Sequence, residues 1–258
     1  LNLYQDGQSA PTDNIPTSNA STVFPVGNVT AGTGNFSTKS EYKIISHFGR
    51  LSYDFDQRYL LTLVYRVDGV SSMTTQNRFG FFPGMSAGWN IHKEKFFENS
   101  GISRLLSVVK PRISYGVNGN VSGIGNYDVQ GVYGAQGNYN GNLGLLNTSI
   151  VNGNLKWEQS KTTDGGLDIG LLNDRITLMV DYFDRRTSNL LTQLTLPSYV
   201  GFSSITTNLG TLQNKGYEIS VNANILRLAN GFTWNIGANV SFVKNKILQL
   251  PFNGNPNN

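Results

Sequence analysis

Eight stretches of this chain alternate apolar and polar residues with a period of two, and their aromatics fall on the apolar set, toward the two ends. Successive residues of a strand point to opposite faces, so each such stretch has one oily face and one wet face. Between Tyr59 and Val67, the odd positions Tyr59, Leu61, Leu63 and Tyr65 are apolar. Thr62, Arg66 and Asp68 lie on the even face, interrupted by Leu60 and Val64. Ile176, Leu178, Val180 and Tyr182 oppose Thr177, Asp181 and Arg185. Tyr217, Ile219, Val221, Ala223 and Ile225 oppose Glu218, Ser220, Asn222 and Asn224. Phe232, Trp234, Ile236, Ala238, Val240 and Phe242 face away from Thr233, Asn235, Gly237, Asn239 and Ser241. A soluble sandwich also alternates, but its outward face looks into bulk solvent and is richer in Lys and Glu. Here the polar set is mostly Asn, Ser, Thr and Gly, the pattern of a transmembrane β-barrel wall.

Composition supports the same class. Charged residues make up 14% of the 258, against roughly 25% in soluble domains, and there are 29 Gly and 11% aromatics. No apolar run reaches the roughly 18 residues of a membrane helix, and mean hydropathy is −0.25, so a spanning chain of this sequence must be a barrel. The net charge of +4 is spread along the chain, which leaves no basic patch for nucleic acid. With no Cys there is neither a disulfide framework nor a thiolate metal site. The opening Leu1, Asn2, Leu3, Tyr4 carries no export-signal pattern, so the expectation is either that a signal was removed or that this is an internal piece of a longer protein.

Residues 1–42, rich in Ser, Thr, Asn, Gly and Pro, read as a long extracellular loop. The barrel strands occupy 43–244, at about 43–54, 59–68, 79–91, 105–116, 160–171, 175–186, 214–225 and 232–244, and 245–258 reads as the start of the next extracellular loop. Tight links at Phe55 to Arg58, Leu172 to Asp174 and Leu226 to Gly231, and a helical one from His92 to Arg104, alternate with long loops at 69–78, 117–159 and 187–213. Outer-membrane barrels have short periplasmic turns and long extracellular loops, which assigns sidedness. Tyr65, Phe81, Tyr115, Tyr182, Tyr217 and Phe242 then fall at the outer ends. Tyr53, Phe55, Tyr59, Trp89, Phe232 and Trp234 fall at the inner ends, giving two aromatic girdles. Pro83 lies inside a strand without an N–H to donate, and a bulge or a strand start is expected there.

Ordered motifs add a resemblance. His47 to Tyr53 (HFGRLSY), followed by Asp56, Arg58, Tyr59, Leu60 and Leu61, resembles the "FGRLNY…DRYLL" hairpin of the SusC/RagA family of TonB-dependent outer-membrane transporters. Arg66, Asp68, Gly69 and Ser71 match the end of that family's next strand. Arg78 to Trp89 is similar to its "RYGYFPSVSLGW". Arg112, Ser114, Tyr115, Gly116, Gly119 and Asn120 are similar to "RASYGxTGN". Asn154, Leu155, Trp157 and Glu158 resemble "PNPxLKWE", with Gly153 where the family has proline. Asn214 to Glu218 resembles "NKGFE", and Ser241, Phe242, Lys244, Asn245 and Lys246 resemble "SFNKNK".

The resemblance covers about 43–250 and implies an all-β antiparallel transmembrane β-barrel section, about eight strands of a barrel of about 22. It implies active import of oligosaccharides or oligopeptides across the outer membrane of a Gram-negative bacterium of the Bacteroidetes. A SusD-like surface lipoprotein would act as a lid, and TonB would act through N-terminal segments outside this chain. The implied partners are therefore that lipoprotein, TonB, a glycan or peptide substrate and outer-membrane lipid, with no nucleic acid and no cofactor. A soluble β-sandwich binding or adhesion protein is the alternative, and a hydrolase comes third for want of a catalytic set.

No catalytic or metal site is expected. His47 and His92 have no neighbouring His or Cys at ligand spacing and read as wall or turn residues. Gly116, Gly119, Gly123 and Gly125 follow a strand with no helix pattern after them, so they read as a flexible loop and not a phosphate cradle. Asp164, Asp168 and Asp181 fall by parity on the lumen face with Arg50, Arg66, Arg112 and Arg185, where ion pairing accounts for them; Asp184 lies near them in sequence. The substrate-binding candidates are Tyr127, Tyr133, Tyr139 and Trp157 in the loop from Val117 to Glu158. They suit stacking on sugar rings or peptide side chains, or else they fold the loop on itself.

Overall fold

The computed structural model describes residues 2–9, 36–131, 133–139, 142–228 and 231–250. Ten strands form one antiparallel sheet: β1 (Asn2–Ser9), β2 (Phe36–Phe55), β3 (Tyr59–Val70), β4 (Phe79–Phe81), β5 (Gly84–Trp89), β6 (Leu106–Asn120), β9 (Glu158–Leu171), β10 (Ile176–Ser188), β13 (Thr211–Arg227) and β14 (Thr233–Gln249). They lie in the order β1-β2-β3-β5-β6-β9-β10-β13-β14, with β4 also on β3. Two hairpins stand apart, β7 (Tyr133–Tyr139) with β8 (Asn142–Asn147), and β11 (Leu191–Thr195) with β12 (Ser204–Asn208). The sheet is an open wall with β1 and β14 at its edges.

All eight expected strands are present, and most extend further toward the long-loop end. About 9–11 residues cross a bilayer, so β2 with 20 residues and β13 and β14 with 17 each project well beyond it. This corrects three boundaries. Residues 2–9 and 36–42 are strand, not loop, paired from Asn2↔Lys43 to Ser9↔Phe36, while 10–35 lie outside the described residues. Residues 245–249 belong to β14, with 251–258 outside the described residues. The loops 117–159 and 187–213 each carry a hairpin. The reason is common to all three. Above the membrane both faces of a strand meet water, so the apolar alternation that reveals a strand within lipid is absent.

Pro83 falls in a gap between β4 and β5, and no residue bulges out. Val67↔Phe81 and Val64↔Gly84 keep one register across it, and the Phe82 N–H still donates to the Arg66 carbonyl at 2.8 Å. β5 therefore starts directly after the proline, where the missing donor costs least. The link from His92 to Arg104 is helical as expected, with 3-10 turns at Ile91–Lys93 and Gly101–Arg104 flanking α1 (Lys95–Glu98).

Register turns the sequence parity into rows. Phe55, Tyr59 and Trp89 lie side by side on β2, β3 and β5, with the Tyr59 and Trp89 rings stacked at 6.2 Å. Tyr182, Tyr217 and Phe242 form the opposite row, with the two tyrosine rings 5.0 Å apart. From Trp234 to Phe242 is about 26 Å along the strand, or about 20 Å along the normal at a tilt of about 40°, suited to a thin outer membrane. Among the described residues no second layer covers either face of the sheet, and Phe242 on the apolar face is 61% exposed. A sandwich needs such a layer.

The short-turn end has its own polar lock. Glu94, between the first 3-10 turn and α1, is 8% exposed. Its carboxylate accepts from the Tyr59 hydroxyl at 2.8 Å, the Trp89 indole at 3.1 Å and Arg58 at 3.3 Å. Arg58 also pairs with Asp56 in the β2–β3 turn. The Trp89 and Tyr59 donors, with Arg58 beside them, hold the Glu94 carboxyl below the usual carboxylate range, against the opposing effect of burial.

Two outcomes follow from this architecture in the full-length protein. Arg at Leu63 or Ala238, on the apolar face at mid-height, should cost about 2–4 kcal/mol of barrel stability by urea unfolding in lipid, and Arg at Thr62 or Asn239 little. Equal losses on both faces would contradict the lipid assignment. A depressed folded pKa means that Glu94 stabilises above its unfolded pKa and loses that contribution as pH falls through the folded value. Glu94→Gln should therefore lower the thermal midpoint at neutral pH, and the gap to wild type should close as pH falls below the ordinary glutamate range and through the lowered folded value. A gap independent of pH would show that the carboxylate charge is not what locks the turn.

Candidate functional site

The polar face of the wall carries one continuous row of paired positions: Gly88, Arg112, Gly166, Asp181, Glu218 and Ser241 on β5, β6, β9, β10, β13 and β14. Arg112 gathers the charges of this face. Its Nε donates to Asp168 at 3.1 Å, Nη1 to Asp164 at 3.4 Å and Nη2 to Asp181 at 2.8 Å. Gly166 sits between Arg112 and Asp181, and a Cβ there would collide with the Asp181 carboxylate and come within 2.6 Å of the guanidinium carbon. A residue without a side chain thus lets a charge on β6 reach its partner two strands away. The ion pairing expected for the three aspartates is present, through Arg112 alone. Arg66 instead pairs with Asp68 at 2.7 Å, Arg50 reaches Ser52, and Arg185 reaches Thr162. Asp184 holds the Gln213 amide at 2.8 Å. Among the described residues, no group of three or more His, Cys, Asp or Glu is placed to hold a metal.

Above the wall, at the long-loop end, lies the molecule's main hydrophobic cluster. Val70 enters it from the end of β3 and Met73 from the loop that follows, Phe82 from the break before β5, Val117, Ile124 and Val129 from β6 and beyond, and Leu155 and Trp157 from the approach to β9. Tyr42 of β2 and Leu191 of β11 pack on its margin. Trp157 meets Phe82 edge-to-face at 5.2 Å, and Gly119 lies against both rings, where a Cβ would come within 2.9 Å of the indole. Gly119 is therefore fixed by packing, unlike a flexible loop glycine.

One short segment, Asn152 to Glu158, ties the loops together. The Trp157 indole donates to the Asn77 and Arg78 carbonyls at 3.1 and 3.3 Å, and Thr74 donates to the Gly153 carbonyl at 3.3 Å. On the other side, Asn208 accepts from the Lys156 N–H at 2.7 Å and donates to its carbonyl at 2.8 Å. Asn152 donates to the Thr206 carbonyl at 2.9 Å, and Glu158 accepts from the Leu191 N–H at 3.2 Å. The segment bridges the loop after β3 and the β11–β12 hairpin.

The four candidate aromatics therefore separate. Trp157 is 8% exposed and bonded through its only polar atom, so it builds the loop platform and is not open to a ligand. Tyr127 is 38% exposed, and its hydroxyl accepts from the Glu41 N–H at 3.0 Å, which fastens the loop to β2. Tyr133 is 62% exposed at the start of β7, and the Tyr139 side chain lies outside the described residues. Sequence reasoning missed Asn208, and it noted Asp184 without its partner Gln213, because both residues bond to groups far away in sequence. It also missed Tyr199, 88% exposed at the tip of the β11–β12 hairpin, where Pro197 and Gly201 bracket the turn.

A family model described as TonB dependent receptor-like, beta-barrel, matches residues 2–258. The chain belongs to that family. It is 39% identical over 216 residues to TonB-dependent receptor P3 of Formosa agariphila, covering 82% of this chain and 21% of that protein. It is 35% identical over 215 residues to TonB-dependent receptor SusC of Bacteroides thetaiotaomicron, covering 80% and 21%. Among solved structures, the RagAB peptide transporter superposes with a TM-score of 0.74 at 29% identity, over 84% of this chain and 24% of that one. The RagAB peptide importer in its 'open-open' state gives 0.76 at 28% identity, over 86% and 24%. The chain spans about a fifth of the length of the curated relatives it matches.

In this TonB-dependent receptor barrel, the segment resembling "PNPxLKWE" thus joins the loops, and glycine replaces proline at position 153 with nothing within 4 Å of where a Cβ would stand. Asn208→Ala removes three hydrogen bonds, to Lys156 and Asn189, that hold the β11–β12 hairpin. Limited proteolysis of the full-length variant should cut within 189–210 faster than wild type, with heat-modifiable barrel mobility unchanged. Equal cleavage rates would mean that the staple does not order the hairpin.

Proposed function

We infer that this section belongs to an outer-membrane importer that takes up oligosaccharides or oligopeptides in a Gram-negative bacterium, driven by TonB and capped by a SusD-like surface lipoprotein. The observation that carries the reading is the loop platform. Several long loops share a packed hydrophobic cluster directly above a polar-faced wall, which suits a stable recognition surface at the mouth of a wet lumen. Family membership, the SusC relative and the RagAB structures support the same reading. It involves no chemical step and no cofactor.

In this reading the short turns at Asp56 and Asn173 face the periplasm, and the platform faces outward. Tyr133 is more open to a substrate than Tyr127 or Trp157, with Tyr127 beside β2 and Tyr139 completing the set. Trp157 acts on binding only through the loops it holds. Oligosaccharide and oligopeptide stay together at this level, because an exposed tyrosine stacks on either.

Deleting the full-length receptor in its source bacterium should abolish growth on the imported polymer, and loss of TonB should do the same. Growth independent of the receptor would overturn the importer reading. Cysteine at Val151 or Tyr199 should react with an impermeant maleimide on intact cells, and cysteine at Asp56 or Asn173 should not. The reverse pattern would invert the sidedness.

A further inference from the structure

Between the β11–β12 hairpin and the segment leading from β8 toward β9 lies a cleft of about 430 Å³. That is within the 300–1,000 Å³ of small-ligand sites. We propose that this cleft is a binding subsite for an uncharged, hydroxyl-rich glycan segment, a reading that rests on the importer function and names its substrate class.

The lining sets the chemistry. Gln193, Ser204 and Thr206 present side chains from the hairpin, Asn147 and Asp128 face them, and Phe202 supplies an aromatic surface. Most apolar-ligand pockets carry only a few polar groups, and here amides and hydroxyls predominate. Gln193, Ser204 and Thr206 have no side-chain hydrogen-bond partner among the described residues, so their donors and acceptors are open to a ligand. Amides and hydroxyls that both donate and accept match sugar hydroxyls, which do the same. Phe202 suits the apolar face of a sugar ring.

Charge disfavours anionic ligands. Among the described residues no Lys, Arg or His lines the cleft, and Asp128 is its only ionisable group. A peptide's carboxylates or an acidic glycan would find no cationic partner there and would meet a like charge. The walls are also fixed before a ligand arrives. Asn152 ties one wall to the Thr206 carbonyl on the other at 2.9 Å, and Asn208 anchors the hairpin to Lys156. Leu155, 1% exposed, joins the cleft to the buried cluster. A preorganised site loses less entropy on binding than loops that must first be ordered.

The test uses the full-length receptor from its outer membrane, with any lipoprotein that stays bound, and isothermal titration against malto-, cello-, xylo- and mannohexaose, oligogalacturonate and a tryptic peptide pool. At least one neutral hexasaccharide should bind, and oligogalacturonate should bind at least about tenfold more weakly. Gln193→Ala should weaken the neutral ligand about tenfold, and Ser204→Trp, which fills the cleft, should abolish binding. Asp128→Asn keeps the oxygen that accepts from the Gly125 N–H and should narrow the gap between neutral and acidic ligands. Heat-modifiable mobility checks that each variant folds.

Three results would overturn the proposal: no neutral oligosaccharide bound, peptide bound in its place, or neutral binding unchanged by both Gln193→Ala and Ser204→Trp. Growth that needs the receptor but tolerates Ser204→Trp would overturn the cleft while leaving the importer reading intact. Growth that does not need the receptor would defeat the importer reading itself.

Discussion

The backbone ladder between neighbouring strands holds this wall together, because among the described residues no second layer packs on either of its faces. In lipid an unpaired N–H or C=O costs several kcal/mol, so each strand must pair fully with the next. The registers meet that demand through the apolar span. They are unbroken from Ile44↔Val70 to Phe55↔Tyr59 and from Ile176↔Ala223 to Ser188↔Thr211. The irregularities, at Leu106/Val108, Thr211/Leu212 and Asn224/Leu226, all fall at strand ends. A one-residue slip within the span would turn Leu63 and Val221 inward and Arg66 and Glu218 into lipid.

The rows of side chains follow from that register. Phe55, Tyr59 and Trp89 make one rim, and Tyr182, Tyr217 and Phe242 the other. On the opposite face the same ladder brings Arg112 level with Gly166 and Asp181 and sets Asp164 and Asp168 two residues to either side. The charged cluster is a consequence of strand pairing, and Gly166 is the position that opens it.

Beyond the rim at the long-loop end the physics changes, because water reaches every surface and lipid no longer covers apolar groups. Loops there need a core of their own, and they build one from Val70, Met73, Phe82, Val117, Leu155 and Trp157. The polar bonds around it, from Trp157 to Asn77 and Arg78 and from Lys156 to Asn208, satisfy backbone groups that strands would otherwise pair. This makes a fixed platform of segments that are far apart in sequence, and the cleft beside the β11–β12 hairpin depends on it.

Period-two alternation was enough by itself to establish the strands, the lipid face and the two aromatic rims, because within a membrane one face must be oily at every second residue. Parity likewise placed Asp164, Asp168 and Asp181 on one side of the wall. The sequence did not reveal β1, the upper part of β2, or the β7–β8 and β11–β12 hairpins, where both faces are wet and alternation carries no signal. Nor did it separate Trp157 from Tyr133. Both are aromatics in a Gly- and Asn-rich loop, and only the packing of Phe82 and Gly119, contributed by other segments, decides that one is buried and the other open. The choice of Arg112 over Arg50, Arg66 and Arg185 as the partner of the three aspartates was also tertiary, since it turns on which strands become neighbours and on a glycine between them.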